Sequence, residues 1–261
     1  MKNRIGVAIS VYDKGNFVMT GINVINNLWT ISPYISICCN HQETFEKLSR
    51  VGGVNVVRGD DLPFSNKNEL RLRQYDCIKK SVLQACQNSE YVIHWHGDAL
   101  SLSDSAILEI VDHMESNDIY FSGRGFWKDS TSPKIPLGDI DDHFFIIKSS
   151  HVISSGMYDD DKVDYVRMLA RNGVCSEGIL VILVQGCTSD DNIYIYSDMS
   201  ECVVLPSQKV DDRYDDKIAH RTLPPVNFDP IRKFLHCDDM AHLKRIFESE
   251  RIDTELICEN L

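Results

Sequence analysis

The stretch Tyr91-Val92-Ile93-His94-Trp95-His96-Gly97-Asp98-Ala99-Leu100 decides how this chain is read. Its β-branched and aromatic residues predict a strand over Tyr91–Trp95, ended by the polar His96-Gly97-Asp98. On an extended strand residues two apart share a face, so His94, His96 and Asp98 point the same way. Asp98 is then expected at the strand end, facing a crevice. A carboxylate with water suits Mg²⁺ or Mn²⁺, the ions that bridge a diphosphate, whereas two histidines beside it suit Zn²⁺.

Upstream of that strand the chain alternates. Ile5–Val11 is a short apolar run stopped by the polar turn Ser10-Val11-Tyr12-Asp13-Lys14-Gly15, and Val18, Ile22, Ile25 and Leu28 then recur at helical spacing. Tyr34–Cys39 predicts a second strand. Asn40 stands three residues before Glu43, the pattern of a capping box for a helix carrying Phe45 and Leu48. Val54–Val57 predicts a third strand, closed by Arg58-Gly59-Asp60-Asp61. A helical stripe of Leu70, Cys77, Ile78, Val82, Leu83 and Cys86 leads back to Tyr91. Beyond the motif, Ser103 is placed as the cap of a helix with Ile107, Ile110, Val111 and Met114 inward, and Ile119–Phe121 as a fifth strand.

Strands separated by helices imply βαβ units, a parallel sheet and helices on both faces. The binding crevice of such a sheet lies beyond the carboxyl ends of its strands. Those ends are polar here: Ser10 to Asp13, Asn40, Asp60-Asp61 and Asp98. After residue 122 the rhythm changes. Gly123–Asp142 is expected to be a long irregular segment of the kind that carries function. Phe144–Lys148 resumes as a strand, a helix follows around Val163–Ala170, Ser176-Glu177 opens another to about Gln185, and Ile193–Tyr196 is a further strand. Lys209–Pro225 is polar, and a helix is expected from about Asp238 to Arg251. One domain is therefore placed over residues 1–225, with 226–261 as its C-terminal helical extension.

Composition narrows the classes. The 261 residues carry 39 acidic and 27 basic side chains, a formal net charge of -12, and 43% are hydrophobic. That apolar fraction excludes a disordered or low-complexity chain. No Lys/Arg-rich stripe is present to release counterions, so nucleic acid is not an expected partner. A local phosphate site stays open, because one metal ion reverses the potential around it. Apolar runs such as Ile179–Val184 fall short of the ~20 residues of a membrane span. The start Met1-Lys2-Asn3-Arg4 leads into Ile5–Ile9 without a leader pattern, so neither a transmembrane segment nor a signal peptide is expected. Nine cysteines, odd in number and without a C-x-x-C pair, fit a reducing compartment, and the expected location is cytoplasmic.

Taken together, residues 3 to 200 resemble the GT-A-fold glycosyltransferases, the family-2-like enzymes that use nucleotide-diphospho-sugars. The resemblance implies a single GT-A-like (Rossmann-like) α/β domain with a mostly parallel central sheet flanked by helices. It rests on the order of seven pieces. The turn from Ser10 through Tyr12 to Asn16 resembles the one that cups the nucleoside base. Asp60 or Asp61 matches the acid that contacts base or ribose, with Asn40 at the neighbouring strand end. Asn68-Glu69-Leu70-Arg71 resembles the helix entering the nucleotide-sugar site. His96-Gly97-Asp98 stands in place of the metal-binding Asp-x-Asp, with histidine where the first acid belongs. Phe144–Lys148, Gly156-Met157-Tyr158-Asp159-Asp160 and Ser176-Glu177 resemble the later core strand, the Gly-(Gly)-Phe-Asp-Glu turn and the Glu-Asp pair holding the general base. His220 is placed as a late histidine contacting metal or phosphate.

The resemblance implies a donor nucleotide-sugar, with a UDP-sugar favoured, and a glycan or other hydroxyl acceptor. Asp98, with His96 and His220, would hold Mn²⁺ or Mg²⁺ against the two phosphates. Glu177 would take the proton of the acceptor hydroxyl as it attacks the anomeric carbon, with inversion. Asp141-Asp142-His143 would line the acceptor site. Three rivals are weighed against this. His94-x-His96-x-Asp98 matches a metallo-β-lactamase-type hydrolase signature, yet Ala99 stands where a histidine normally follows, and that fold opens with β-hairpins. A sugar-1-phosphate nucleotidyltransferase needs a Gly-rich, Arg-containing loop, and Val11–Asn16 has only Gly15. A binding-only relative that keeps the fold and has lost turnover fits the reduced set of acids.

Overall fold

The computed structural model describes residues 2–60, 67–97, 99–101, 103–127, 139–174, 176–195, 234–236, 247–248 and 251–255. Side-chain alternation sets its layers. β1 (Asn3–Val11) sends Ile5, Val7, Ile9 and Val11 into one apolar cluster and Ala8 into a second on the opposite face. β4 (Ser89–His96) divides in the same way, with Tyr91, Ile93 and Trp95 in the first cluster and Val92 in the second. Both faces of these central strands are covered.

The remaining elements follow in βα order. α1 (Gly15–Leu28), β2 (Tyr34–Cys39), α2 (Gln42–Leu48), β3 (Val54–Arg58) and α3 (Lys67–Asn88) precede β4. After it come β5 (Ala99–Ser101), α4 (Ser105–Ser116), β6 (Phe121–Trp127), β7 (Asp139–Lys148), α5 (Ser149–Ser155), α6 (Asp160–Arg171), α7 (Ser176–Gln185), β8 (Ile193–Ile195) and β9 (Phe234–His236). The main sheet has seven strands in the order β3-β2-β1-β4-β7-β6-β8. β7 runs antiparallel to both its neighbours, and every other pairing in the sheet is parallel. A small second sheet pairs β5 with β9.

This is the mostly parallel, helix-flanked α/β sheet expected, with particular corrections. The fifth strand starts at Phe121 and runs to Trp127, and the one after it starts at Asp139, so residues 123–127 and 139–142 of the expected irregular segment are strand. The N-cap of α2 is His41, not Asn40, whose side chain is engaged elsewhere. Asp104, not Ser103, caps α4, although Ser103 Oγ accepts from the Ser105 N–H at 3.2 Å. The seven-residue α5 and the short β5 carry too little periodicity to be anticipated. Of the expected C-terminal helix, residues 247–248 are helical and Phe247 is buried; the rest of Asp238–Arg251, apart from Arg251 itself, lies outside the described residues.

One buried carboxylate ties the crossover helices together. Asp104 Oδ2 accepts hydrogen bonds from the Thr30 N–H (2.8 Å), the Thr30 hydroxyl (2.7 Å) and the Ile31 N–H (3.0 Å). Beside it the Trp29 indole donates to the Ser101 carbonyl at 3.0 Å and meets Trp95 edge-on at 5.9 Å. Removing a carboxylate with three donors leaves those donors unpaired. Asp104→Ala is therefore expected to lower unfolding free energy by about 3 kcal/mol, measured by urea titration.

A second constraint sits at the end of β4. A Cβ at Gly97 would lie 2.6 Å from Val11 Cγ2, 2.8 Å from Val11 Cβ and 3.2 Å from Val18 Cγ2. Only glycine lets the two strand ends close this tightly. Gly97→Ala is expected to cost about 1–3 kcal/mol through overpacking, read as a lowered urea midpoint.

Candidate functional site

Beyond the carboxyl ends of β1, β2 and β4 lies an open pocket of about 360 Å³. Connections leave β1 and β4 towards opposite sides here, the switch point at which open α/β sheets bind their ligands. Its size falls in the range of small-molecule sites, about 300–1,000 Å³. The Ser10–Lys14 turn, Asn40, His96 and Gly97 form the strand-end wall. One face of α3 forms the other, through Leu70, Arg73, Gln74 and Cys77 at the i, i+3, i+4, i+7 spacing of a helix.

Each wall is held by specific contacts. His94 is fully buried, stacks on Phe145 with ring centres 4.7 Å apart, and its Nε2 lies 3.1 Å from Ser10 Oγ. It packs the floor beneath Ser10, which takes the first arm of the hydrolase signature out of the open site. Asn40 donates from Nδ2 to the Asp60 carbonyl at 2.8 Å and accepts the Cys77 thiol at Oδ1, also 2.8 Å. Its amide orientation is therefore set. The hydrogen bond with Cys38 and burial push the Cys77 thiol well above its ordinary range. It stays a protonated donor and is no nucleophile at neutral pH.

The cation of the pocket is Arg73, joined at its rim by Lys14. Arg73 is only 6% exposed, and its guanidinium carbon lies 3.7 Å from the centre of the Tyr12 ring. Such a cation–π contact contributes about 0.5–2 kcal/mol. The His41 ring also packs on Tyr12, at 5.2 Å and tilted by 56°. At the His96 end, Gln74 Nε2 donates to Asp142 Oδ2 at 2.7 Å and lies 3.3 Å from His96 Nε2. Asp142 is fully buried, and its Oδ2 is 3.9 Å from His96 Nε2. Gln74 and Asp142 thus position the imidazole at the pocket wall.

The structure brings together Ser10, Tyr12, Asn40 and His96, and places other expected residues apart. Asp60 turns its exposed carboxylate to Lys80 at 3.0 Å and meets the site through its backbone carbonyl. Arg71 lies on the next face of α3 with Tyr75 and Ile78, lining a separate cavity of about 20 Å³ with Tyr158 and Ser176. Its guanidinium donates to the Ala170 carbonyl at 3.5 Å. Glu177 stands in the first turn of α7, where Oε2 accepts the Ser176 hydroxyl at 3.2 Å. Asn68 is placed on α3 by its backbone alone. Asp61, Asp98 and His220 lie outside the described residues.

Two pocket residues escape the sequence reading: Arg73 and Gln74 share the face of Leu70 and Cys77, and extending that stripe finds them. In the small second sheet the backbone of His236 stands opposite Ala99. Among the described residues no three His, Cys, Asp or Glu side chains gather closely enough to hold a metal ion. No described helix is long and apolar enough to cross a membrane.

The sequence matches no protein-family model and no curated protein. Solved structures do resemble it. An active-site mutant of LgtC superposes with a TM-score of 0.53 at 12% identity, over 95% of this chain and 96% of that one. The glycosyltransferase GlyE of Streptococcus pneumoniae TIGR4 gives 0.51 at 13% identity, over 99% of this chain and 63% of that one. Mouse xyloside xylosyltransferase 1, in its apo form, is a looser match at 0.45 and 9% identity, over 91% and 98%. These likenesses show the fold: this chain has a GT-A-like fold.

Proposed function

We propose that this protein is a glycosyltransferase that moves a sugar from a nucleotide-diphospho-sugar, a UDP-sugar by preference, to a hydroxyl acceptor such as a glycan. The observation that carries the reading is the pocket at the ends of β1, β2 and β4, where an aromatic ring, an oriented amide and a guanidinium converge. Tyr12 and Asn40 suit the nucleoside. Arg73 and Lys14 draw the diphosphate, whose charge grows as the sugar–phosphate bond breaks. His96 is held at the wall by Gln74 and Asp142, at the end where the phosphates would lie.

A divalent ion belongs to this proposal. His96, a residue of the ligating type, lines the pocket. Asp98, His96 and His220 would hold the ion, Mn²⁺ or Mg²⁺. When bound, it would neutralise the leaving nucleoside diphosphate. Glu177 is not among the residues lining the donor pocket and stands beside Ser176 in the first turn of α7. From there it is proposed to take the proton of the acceptor hydroxyl during an inverting attack.

Purified protein with a UDP-sugar and Mn²⁺ is expected to hydrolyse the donor slowly, and Asp98→Ala is expected to abolish that hydrolysis. Nucleotide binding without turnover under any acceptor would make the chain a binding-only relative. Glu177→Gln is expected to lower transfer about 10²-fold or more while leaving the calorimetric affinity for UDP unchanged. Equal transfer by wild type and variant would remove Glu177 from the mechanism.

A further inference from the structure

Asn40 lines the pocket with its amide held at both ends. Its Nδ2 donates to the Asp60 carbonyl at 2.8 Å, and its Oδ1 accepts the Cys77 thiol at 2.8 Å. A carbonyl only accepts, so the amide nitrogen faces Asp60 and the oxygen faces Cys77. The Cys38 and Val11 carbonyls stand farther from the Cys77 sulfur, at 3.3 and 3.9 Å. The Asp60 end is itself fixed, because the Asp60 N–H donates to Asp76 Oδ2 at 2.8 Å. Asp76 and Cys77 are neighbours on α3, so one turn of that helix secures both ends of the amide. A Cβ at Gly59 would come within 2.5 Å of Asn40 Nδ2, so the amide also packs closely on bare backbone.

We propose that Cys77 is a positioning residue for base selection: by holding the Asn40 oxygen it leaves an amide N–H as the group Asn40 offers the pocket, so the site takes a base with an oxo group, uracil, over one with an amino group in its place, cytosine. The proposal rests on the nucleotide-sugar reading above and names the base of the donor. An unrestrained asparagine reads either edge, because half a turn of its amide exchanges donor and acceptor. Contacts at both ends remove that freedom here. The nitrogen keeps one N–H beyond its bond to Asp60, while the thiol covers the oxygen. A base carbonyl accepts that N–H. An amino group sets donor against donor, and a site built to hydrogen-bond one group rejects the analogue that lacks it.

The test is isothermal titration calorimetry of UDP and of CDP, each with Mn²⁺, into wild-type protein, Cys77→Ala and Cys77→Ser. Wild type is expected to bind UDP about tenfold tighter than CDP. Cys77→Ala narrows that ratio to about threefold, because the amide is then held at one end only. Cys77→Ser restores it, since a hydroxyl donates to Oδ1 as the thiol does. A merely structural role for Cys77 would weaken both nucleotides alike and leave their ratio unchanged. Equal affinities or a preference for CDP in wild type, or an unchanged ratio in Cys77→Ala, overturns the proposal and leaves the donor reading standing. No binding of either nucleotide to wild type overturns both.

Discussion

Everything at the site hangs from the parallel pairing of β1 with β4. The two strands stay in register to Ser10 opposite His96, and the Gly97 N–H closes the ladder on the Ser10 carbonyl at 2.7 Å. Because side chains alternate, Ala8, Ser10, His94 and His96 share the face turned to α3, while Val11 and Trp95 face the other apolar layer. The closure leaves no room for a Cβ at Gly97. Two strand ends are therefore locked at one height, and the polar turns that leave them converge on a single volume.

The helix α3 is the second wall, and its periodicity gives it two tasks. Leu70, Arg73, Gln74 and Cys77 face the pocket. Arg71, Tyr75 and Ile78 face α7, whose first turn carries Ser176 and Glu177. One rigid element thereby borders both the donor pocket and the helix that carries Glu177. The net charge of -12 is no obstacle to a diphosphate there. What matters is the local set, in which Arg73 and Lys14 line the pocket against the one carboxylate of Asp13, and the Asp60 carboxylate is turned to Lys80.

Much of this is legible in the residues because period 2 and period 3.6 are local signals. Tyr34–Cys39 reads with both boundaries correct, and the start of β1 within two residues. The failures are physical in kind. β5 pairs with β9, a contact between distant parts of the chain that no local pattern encodes. The first residues of β7 are acidic, so Asp139–Asp142 reads as loop until its neighbours pair with it. Arg71 and Arg73 are two residues apart, and on a helix two residues are about 200° of rotation. Choosing between them needs the orientation of α3, which tertiary packing sets. Asn40 looks like a cap because its spacing to Glu43 fits one; its amide finds stronger duty between Asp60 and Cys77.

The central claim is that one switch-point pocket receives a nucleoside diphosphate, with its base at Tyr12 and its phosphates towards His96-Gly97-Asp98. A crystal structure of the protein grown with UDP and Mn²⁺ tests it most directly. The account predicts density for the base between the Ser10–Lys14 turn and Asn40, the phosphates near Arg73, and the ion beside Asp98. A nucleotide bound elsewhere on the chain would contradict it.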